Sequence, residues 1–165
     1  MQYGFQCSIC GSWHEGLPLS YGADAPEYWY RLPPEQRAEL SSDQCIIDNQ
    51  HYFLRGRIRI PVIDGSEPFF WGVWVSISEK NFARASELWE TLGRESEPRY
   101  FGWLSTHLAP YPDTINLKTV VHTQPVGERP LIELEVTDHP LSIEQRQGIT
   151  VDRVKEIAEM ILHQP

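Results

Sequence analysis

Positive charge is what this chain has least of. Its 165 residues hold 14 Lys and Arg against 23 Asp and Glu, a formal net charge of -9. Nucleic acid rewards clustered cations through counterion release, so this balance argues against DNA or RNA as a primary partner. Long apolar runs are missing as well. The longest, Phe69–Ile77, carries Gly72 and Ser76 and falls far short of the roughly 18 residues a membrane span needs. The opening MQYGFQCSICG lacks the basic-then-apolar layout of a secretory signal, and a cytoplasmic location is expected. Cysteine is scarce and odd in number, at three, which in that setting speaks against a disulfide framework. Aromatic residues are not scarce. Six tryptophans, seven tyrosines and six phenylalanines are spread along the chain, and that content excludes disorder. A chain of this length is expected to form one domain spanning residues 1–165, burying about 68–70% of its unfolded surface.

The cysteines carry the clearest chemistry. In Cys7-Ser8-Ile9-Cys10-Gly11, two thiolates on one tight turn can hold a single tetrahedral ion at about 2.3 Å. Gly11 supplies the positive φ that such a turn uses, which lets backbone N–H groups point at the sulfurs. His14 is four residues beyond Cys10, within reach of the same point, and Cys45 precedes the apolar pair Ile46-Ile47 as a ligand at a strand start would. Cys7, Cys10, His14 and Cys45 are therefore expected to form a Cys3His set, which suits structural Zn²⁺. His51 is the competing fourth ligand. A redox dithiol would need a helix starting at the motif, and Gly11, Gly16 and Pro18 argue against one. The remaining alternative is that the thiols are small apolar core residues. Four protein ligands leave no position for a reactive water, so the site is read as structural.

Residues 1–50 are expected to be a loop-rich segment stapled by the ion, with Tyr21, Tyr28, Trp29 and Tyr30 packing it onto a body over 51–165. Between 11 and 34, glycines and prolines are too frequent for regular structure. The body is read as α+β, a mostly antiparallel sheet of about five strands with two or three helices and the N-terminal zinc knuckle. Residues 53–60 alternate Leu54, Gly56, Ile58 and Ile60 against Arg55, Arg57 and Arg59, the period of a strand with one wet face. LIELEV over 131–136 alternates likewise, and its Glu133 and Glu135 are expected to neutralise the arginines across neighbouring strands, at about 0.2–1 kcal/mol per pair. FFWGVWVSI over 69–77 is apolar on both faces, as a covered strand would be. Further strands are expected over 99–104 and 115–123, and the glycines inside the aromatic strands point to close backbone approach or a bulge. Ser78 and Thr150 are expected to cap helices, the first running to about Thr91. A short helix near 34–40 follows Pro33-Pro34.

Asp138-His139 ahead of Pro140 is read as a cap for a helix over 140–147 ended by Gly148, although an adjacent acid and imidazole could serve acid–base chemistry. The competing functional reading is a small hydrolase using Asp113, His122, Asp138 or His139 in an aromatic-lined pocket. No nucleophile elbow, HExxH or nucleotide-binding glycine loop is present.

Taken together, CxxCG-x-x-H at Cys7–His14, SSDxC-x-I-D at Ser41–Asp48, WGVWVS, YFGWLS, YPDT-x-x-LKT, RP-x-IELE and TDHPL-x-x-EQ-x-x-GIT resemble the uncharacterised bacterial domain-of-unknown-function family 2199. The resemblance spans nearly the whole chain and implies no reaction. The expectation is a zinc-binding protein that acts by binding a protein or small-molecule partner, as an adaptor, rather than by catalysis.

Overall fold

Period-two alternation runs through the two longest strands, and the computed structural model, which describes residues 4–36 and 39–163, shows what it buries. Strand β6 (His51–Ile60) pairs antiparallel with β7 (Phe69–Ile77) over their full overlap, placing Leu54 opposite Val75, Ile58 opposite Trp71 and Ile60 opposite Phe69. These side chains share one face and form the centre of the main core. Chain order continues as a meander: β7 pairs with β8 (Tyr100–Leu104), β8 with β9 (Lys118–His122) and β9 with β10 (Leu131–Leu134), all antiparallel.

The expected open sheet of about five strands is closed instead. β10 returns to β6, so β6 to β10 form a five-stranded barrel. An odd number of strands in an antiparallel meander forces the first and last to run parallel. That seam is short: Leu131 pairs with Arg57, and Arg57 N–H donates to the Pro130 carbonyl at 2.9 Å. Alternation along a sequence is identical in an open and a closed sheet, which is why closure was not visible there.

The barrel strands are longer than the barrel needs, and their spare edges recruit the first third of the chain. β4 (Glu39–Leu40) and β5 (Gln44–Ile47) extend the sheet from β6. β3 (Ser20–Tyr21) runs parallel to the start of β7, opposite Phe70 and Trp71. Gly72 permits that approach, since a Cβ there would lie 3.0 Å from Gly22 Cα and 3.1 Å from the Tyr21 carbonyl oxygen. Regular structure is thus more frequent before residue 34 than the breakers suggested, including helix α1 (Glu27–Arg31). Of the expected helix near 34–40, residues Pro34–Gln36 form one 3-10 turn and 37–38 lie outside the described residues.

β7 is covered on its second face too, as its two-sided hydrophobicity required. Trp74 is fully buried against Cys45, Ile47 and Phe53, with Ala23, Trp29 and Leu32 packed on that cluster. Tyr21 rests on Phe69 and Trp71 with ring centroids 5.9 and 5.4 Å away. Tyr28 sets its ring 5.0 Å from that of His51 on β6, while Tyr30 is about half exposed.

Three helices pack on the barrel, adding Phe82, Leu141, Val154 and Ile157 to its core. α2 (Glu79–Glu87) is capped by the Ser78 hydroxyl, which accepts from Asn81 N–H, and inserts Phe82; it ends before Thr91 because Leu88 already turns the chain. α3 (Pro140–Gln147) is capped by the His139 ring and stopped by Gly148. α4 (Val151–Leu162) is capped by Thr150 and buries Val154, Ile157 and Ala158. A largely buried network joins α3 and α4 to the barrel: Trp71 Nε1 donates to the Tyr111 hydroxyl at 3.1 Å, Tyr111 donates to the Glu144 carboxylate, and Arg153 donates to that carboxylate at 2.7 Å. Burial first, and the Glu144 carboxylate second, push the Tyr111 phenol well above its ordinary pKa.

The charge ladder is not formed. No ion pair among the described residues joins Arg55, Arg57 or Arg59 to Glu133 or Glu135. Arg57 lies over the Phe70 ring at 4.3 Å and Arg55 over Trp74 at 5.9 Å. β10 also stops at Leu134, so Val136 is exposed rather than on the inner face. The seam between β6 and β10 is too brief to bring the two charge rows into register.

Candidate metal centre

The first two strands of the chain are a hairpin. β1 (Gly4–Gln6) pairs antiparallel with β2 (Trp13–Glu15), placing Phe5 opposite His14. The loop between them is the CxxCG segment. Cys7 N–H donates to the Ser12 carbonyl at 2.9 Å and Gly11 N–H to the Cys7 carbonyl at 3.0 Å, with Gly11 at φ 75°. The turn therefore presents Cys7 and Cys10 together, while the strand pairing carries His14 back over them.

The hairpin is seated on α4. Phe5, Cys7 and Ala158 form a small hydrophobic cluster with Leu17 against it. Ser8 donates through its backbone N–H at 3.0 Å, and through its hydroxyl, to the Glu159 carboxylate. Those bonds, the hydroxyl's first, hold the Glu159 carboxyl below its ordinary pKa. The same docking delivers His163, the C-cap of α4, to the loop.

Cys7, Cys10, His14 and His163 thus converge, with one ligand atom from each lying within 4.8 Å of all the others. Cys7 Sγ is 3.1 Å from His163 Nε2, and Cys10 Sγ is 3.3 Å from His14 Nε2. An ion at about 2.3 Å from sulfur and about 2.0–2.1 Å from nitrogen spreads tetrahedral ligands about 3.3–3.8 Å apart, so small side-chain adjustments would complete the geometry. The four groups lie close enough to bind a metal ion. Cys10 is prepared for it, since the Ser12 backbone hydrogen bond, followed by His14, lowers its thiol pKa to about 6. A thiolate at neutral pH is the form a cation takes.

Cys45 stands elsewhere, which corrects the expected Cys3His set. It sits in β5 opposite Phe53, 1% exposed within the Trp74 cluster, and burial pushes its thiol up to about 11. The alternation of its strand turns its side chain into that cluster, so for this cysteine the small-apolar-residue alternative holds. His51, the competing ligand, begins β6 and is exposed, its ring 5.0 Å from that of Tyr28. The fourth donor escaped detection because it lies 149 positions from His14, at the end of a helix whose cap and apolar stripe gave no reason to single it out. The one available signal was an unpaired histidine just past an amphipathic helix.

The side chains of the hydrolase reading are bonded to other partners and not to one another among the described residues. His139 is occupied as a cap, its Nδ1 accepting from Leu141 N–H at 3.1 Å and its Nε2 facing the Asp113 carbonyl at 3.1 Å. Asp113 accepts from Ile115 N–H within its own turn at 3.0 Å. His122 lies on β9 with its Nε2 3.5 Å from Glu133. Asp138 is exposed in the loop before α3. Caps and turns account for this arrangement, and it supports no hydrolase.

A family model described as an uncharacterized protein conserved in bacteria (DUF2199) matches residues 6–149. Cys7, Cys10 and His14 fall inside that stretch and His163 beyond it. No curated protein and no solved structure matches the chain. No helix among the described residues is long and apolar enough to cross a membrane.

Proposed function

The chain belongs to this bacterial family of uncharacterised proteins, which brings no activity with it, and on the chemistry of its donor set we propose a metal-binding protein with a structural zinc site. The ligands are Cys7, Cys10, His14 and His163. Two thiolates and two imidazoles in a tetrahedral set suit Zn²⁺, and four protein donors leave no site for a reactive water. The ion's work is mechanical: it fastens the N-terminal hairpin to the C-terminal end of α4, joining segments some 150 residues apart. The protein acts by binding a partner, a protein or a small molecule, on the scaffold so closed. The observation that carries this reading is the meeting of the four ligand atoms within 4.8 Å.

Metal analysis of purified protein tests it. About one zinc per chain is expected, falling below half an equivalent in Cys10→Ser and in His163→Ala, and unchanged in Cys45→Ala. Zinc below half an equivalent in the unaltered protein, or zinc lost from Cys45→Ala and kept by His163→Ala, would contradict the site.

A further inference from the structure

The seam that closes the barrel also opens a cavity. β5 follows β6 only to Leu54, and β10 meets it only at Arg57. Beside this gap lies a cavity of about 480 Å³, within the range of about 300–1,000 Å³ typical of small-molecule sites. Its apolar lining is Leu54, Leu88, Trp89, Tyr100 and Val121. Its charged lining is mostly cationic: Arg55, Arg57, Arg94 and Arg129, with the two acidic residues Asp43 and Glu128. In a chain of net charge -9, a cavity richer in cations than in anions is a local reversal of sign.

The four arginines do different things. Arg129 is paired to Asp43 at 2.7 Å. Arg94 donates to the carbonyls of Trp89, Gln124, Pro125 and Glu128 and so fixes the loop ahead of β10. Arg55 gives one terminal nitrogen to the Ser42 carbonyl at 3.2 Å, and Arg57 is held by stacking on Phe70. The Nε–H groups of Arg55 and Arg57 are buried with no hydrogen-bond partner among the described residues, while the Tyr100 hydroxyl is turned toward Glu97. Both arginines line this cavity. A buried donor left unmade costs free energy, more when charged, and two on neighbouring arginines of one cavity lining mark a place where an acceptor belongs.

We infer that this cavity binds a small organic carboxylate, its oxygens accepting from Arg55 and Arg57 and its apolar body lying against Trp89 and Val121. The site is separate from the metal centre and does not rest on it. Planar guanidinium groups match carboxylate geometry, and the apolar lining excludes a bare inorganic anion as the best-fitting occupant.

Nitrogen–proton correlation spectra that resolve arginine Nε–H and tryptophan indole groups test this with three probes: 2-naphthoate, its neutral analogue 2-naphthalenemethanol, and inorganic phosphate. 2-Naphthoate is expected to shift the Arg55, Arg57 and Trp89 signals saturably, with the alcohol and phosphate each at least about tenfold weaker. Arg57→Gln is expected to weaken 2-naphthoate at least about tenfold while its zinc content and melting temperature stay near those of the unaltered protein. Signals unmoved by 2-naphthoate, equal binding of the alcohol, equal binding of phosphate, or an undiminished Arg57→Gln each overturn the inference. If Arg57→Gln fails to fold, the three-probe comparison on the unaltered protein still decides it.

Discussion

At the scale of single residues, the three cysteines differ in what surrounds their sulfur. Cys10 is exposed, and backbone and imidazole hydrogen bonds lower its thiol pKa to about 6. Cys45 is buried in an apolar cluster with its thiol pushed up to about 11. Iodoacetamide at neutral pH should therefore label Cys10 of metal-stripped protein first and Cys45 only after denaturation, and added zinc should protect Cys10. Peptide mass mapping reads this out directly. Asp43 gives a pH test with a definite sign. Burial alone would raise its carboxyl, but the Arg129 and Ser42 hydrogen bonds and the Arg129 and Arg55 charges outweigh it and hold the pKa below its ordinary value. A lowered carboxyl contributes stability that is complete above its unfolded pKa and is lost as pH falls through the folded one. Asp43→Asn should flatten the loss of stability between about pH 5 and pH 2, measured by urea unfolding.

Among elements, the junction of α3 and α4 with the barrel depends on Glu144, whose carboxylate receives both Tyr111 and Arg153. Glu144→Ala leaves a buried phenol without its acceptor and a mostly buried guanidinium with only the Glu156 carboxylate, 2.6 Å from a terminal nitrogen. A cost of about 2–4 kcal/mol is expected in urea unfolding, where a surface ion pair would cost under about 1. Much of this level was legible beforehand. The Phe69–Ile77 strand, the Ser78, His139 and Thr150 caps and the stop at Gly148 all appear where local rules put them, because each is decided by a few neighbouring residues. What escaped was non-local. Barrel closure depends on β10 meeting β6 across some 70 residues, and alternation carries no record of it. Alternation alone sets the arginine row against Glu133 and Glu135, whereas in the fold the aromatic faces of the adjoining strand take Arg55 and Arg57. Three of the four converging donors share one short segment and were readable from their spacing. The fourth needed the packing of α4 against the hairpin.

For the whole molecule, the ion would join the chain's two ends over a barrel that has its own core. Structural zinc sites in small peptides bind with about 10–16 kcal/mol of apparent free energy, comparable to the whole stability of a domain, yet the main core draws nothing from residues 4–15. Removing the metal with a chelator should therefore free the β1–β2 hairpin and the last turn of α4, with amide exchange there rising by at least about a hundredfold, while the β6 and β7 amides keep their protection. Global unfolding on chelation would show that the barrel is not independent.

The central claim is that two sulfurs and two imidazole nitrogens surround one ion. Zinc-edge X-ray absorption on the purified protein measures that shell directly. Two sulfurs at about 2.3 Å and two nitrogens at about 2.0–2.1 Å are expected, and the residual zinc of His163→Ala should lack one imidazole. A shell of three sulfurs would bring Cys45 back to the ion and contradict it.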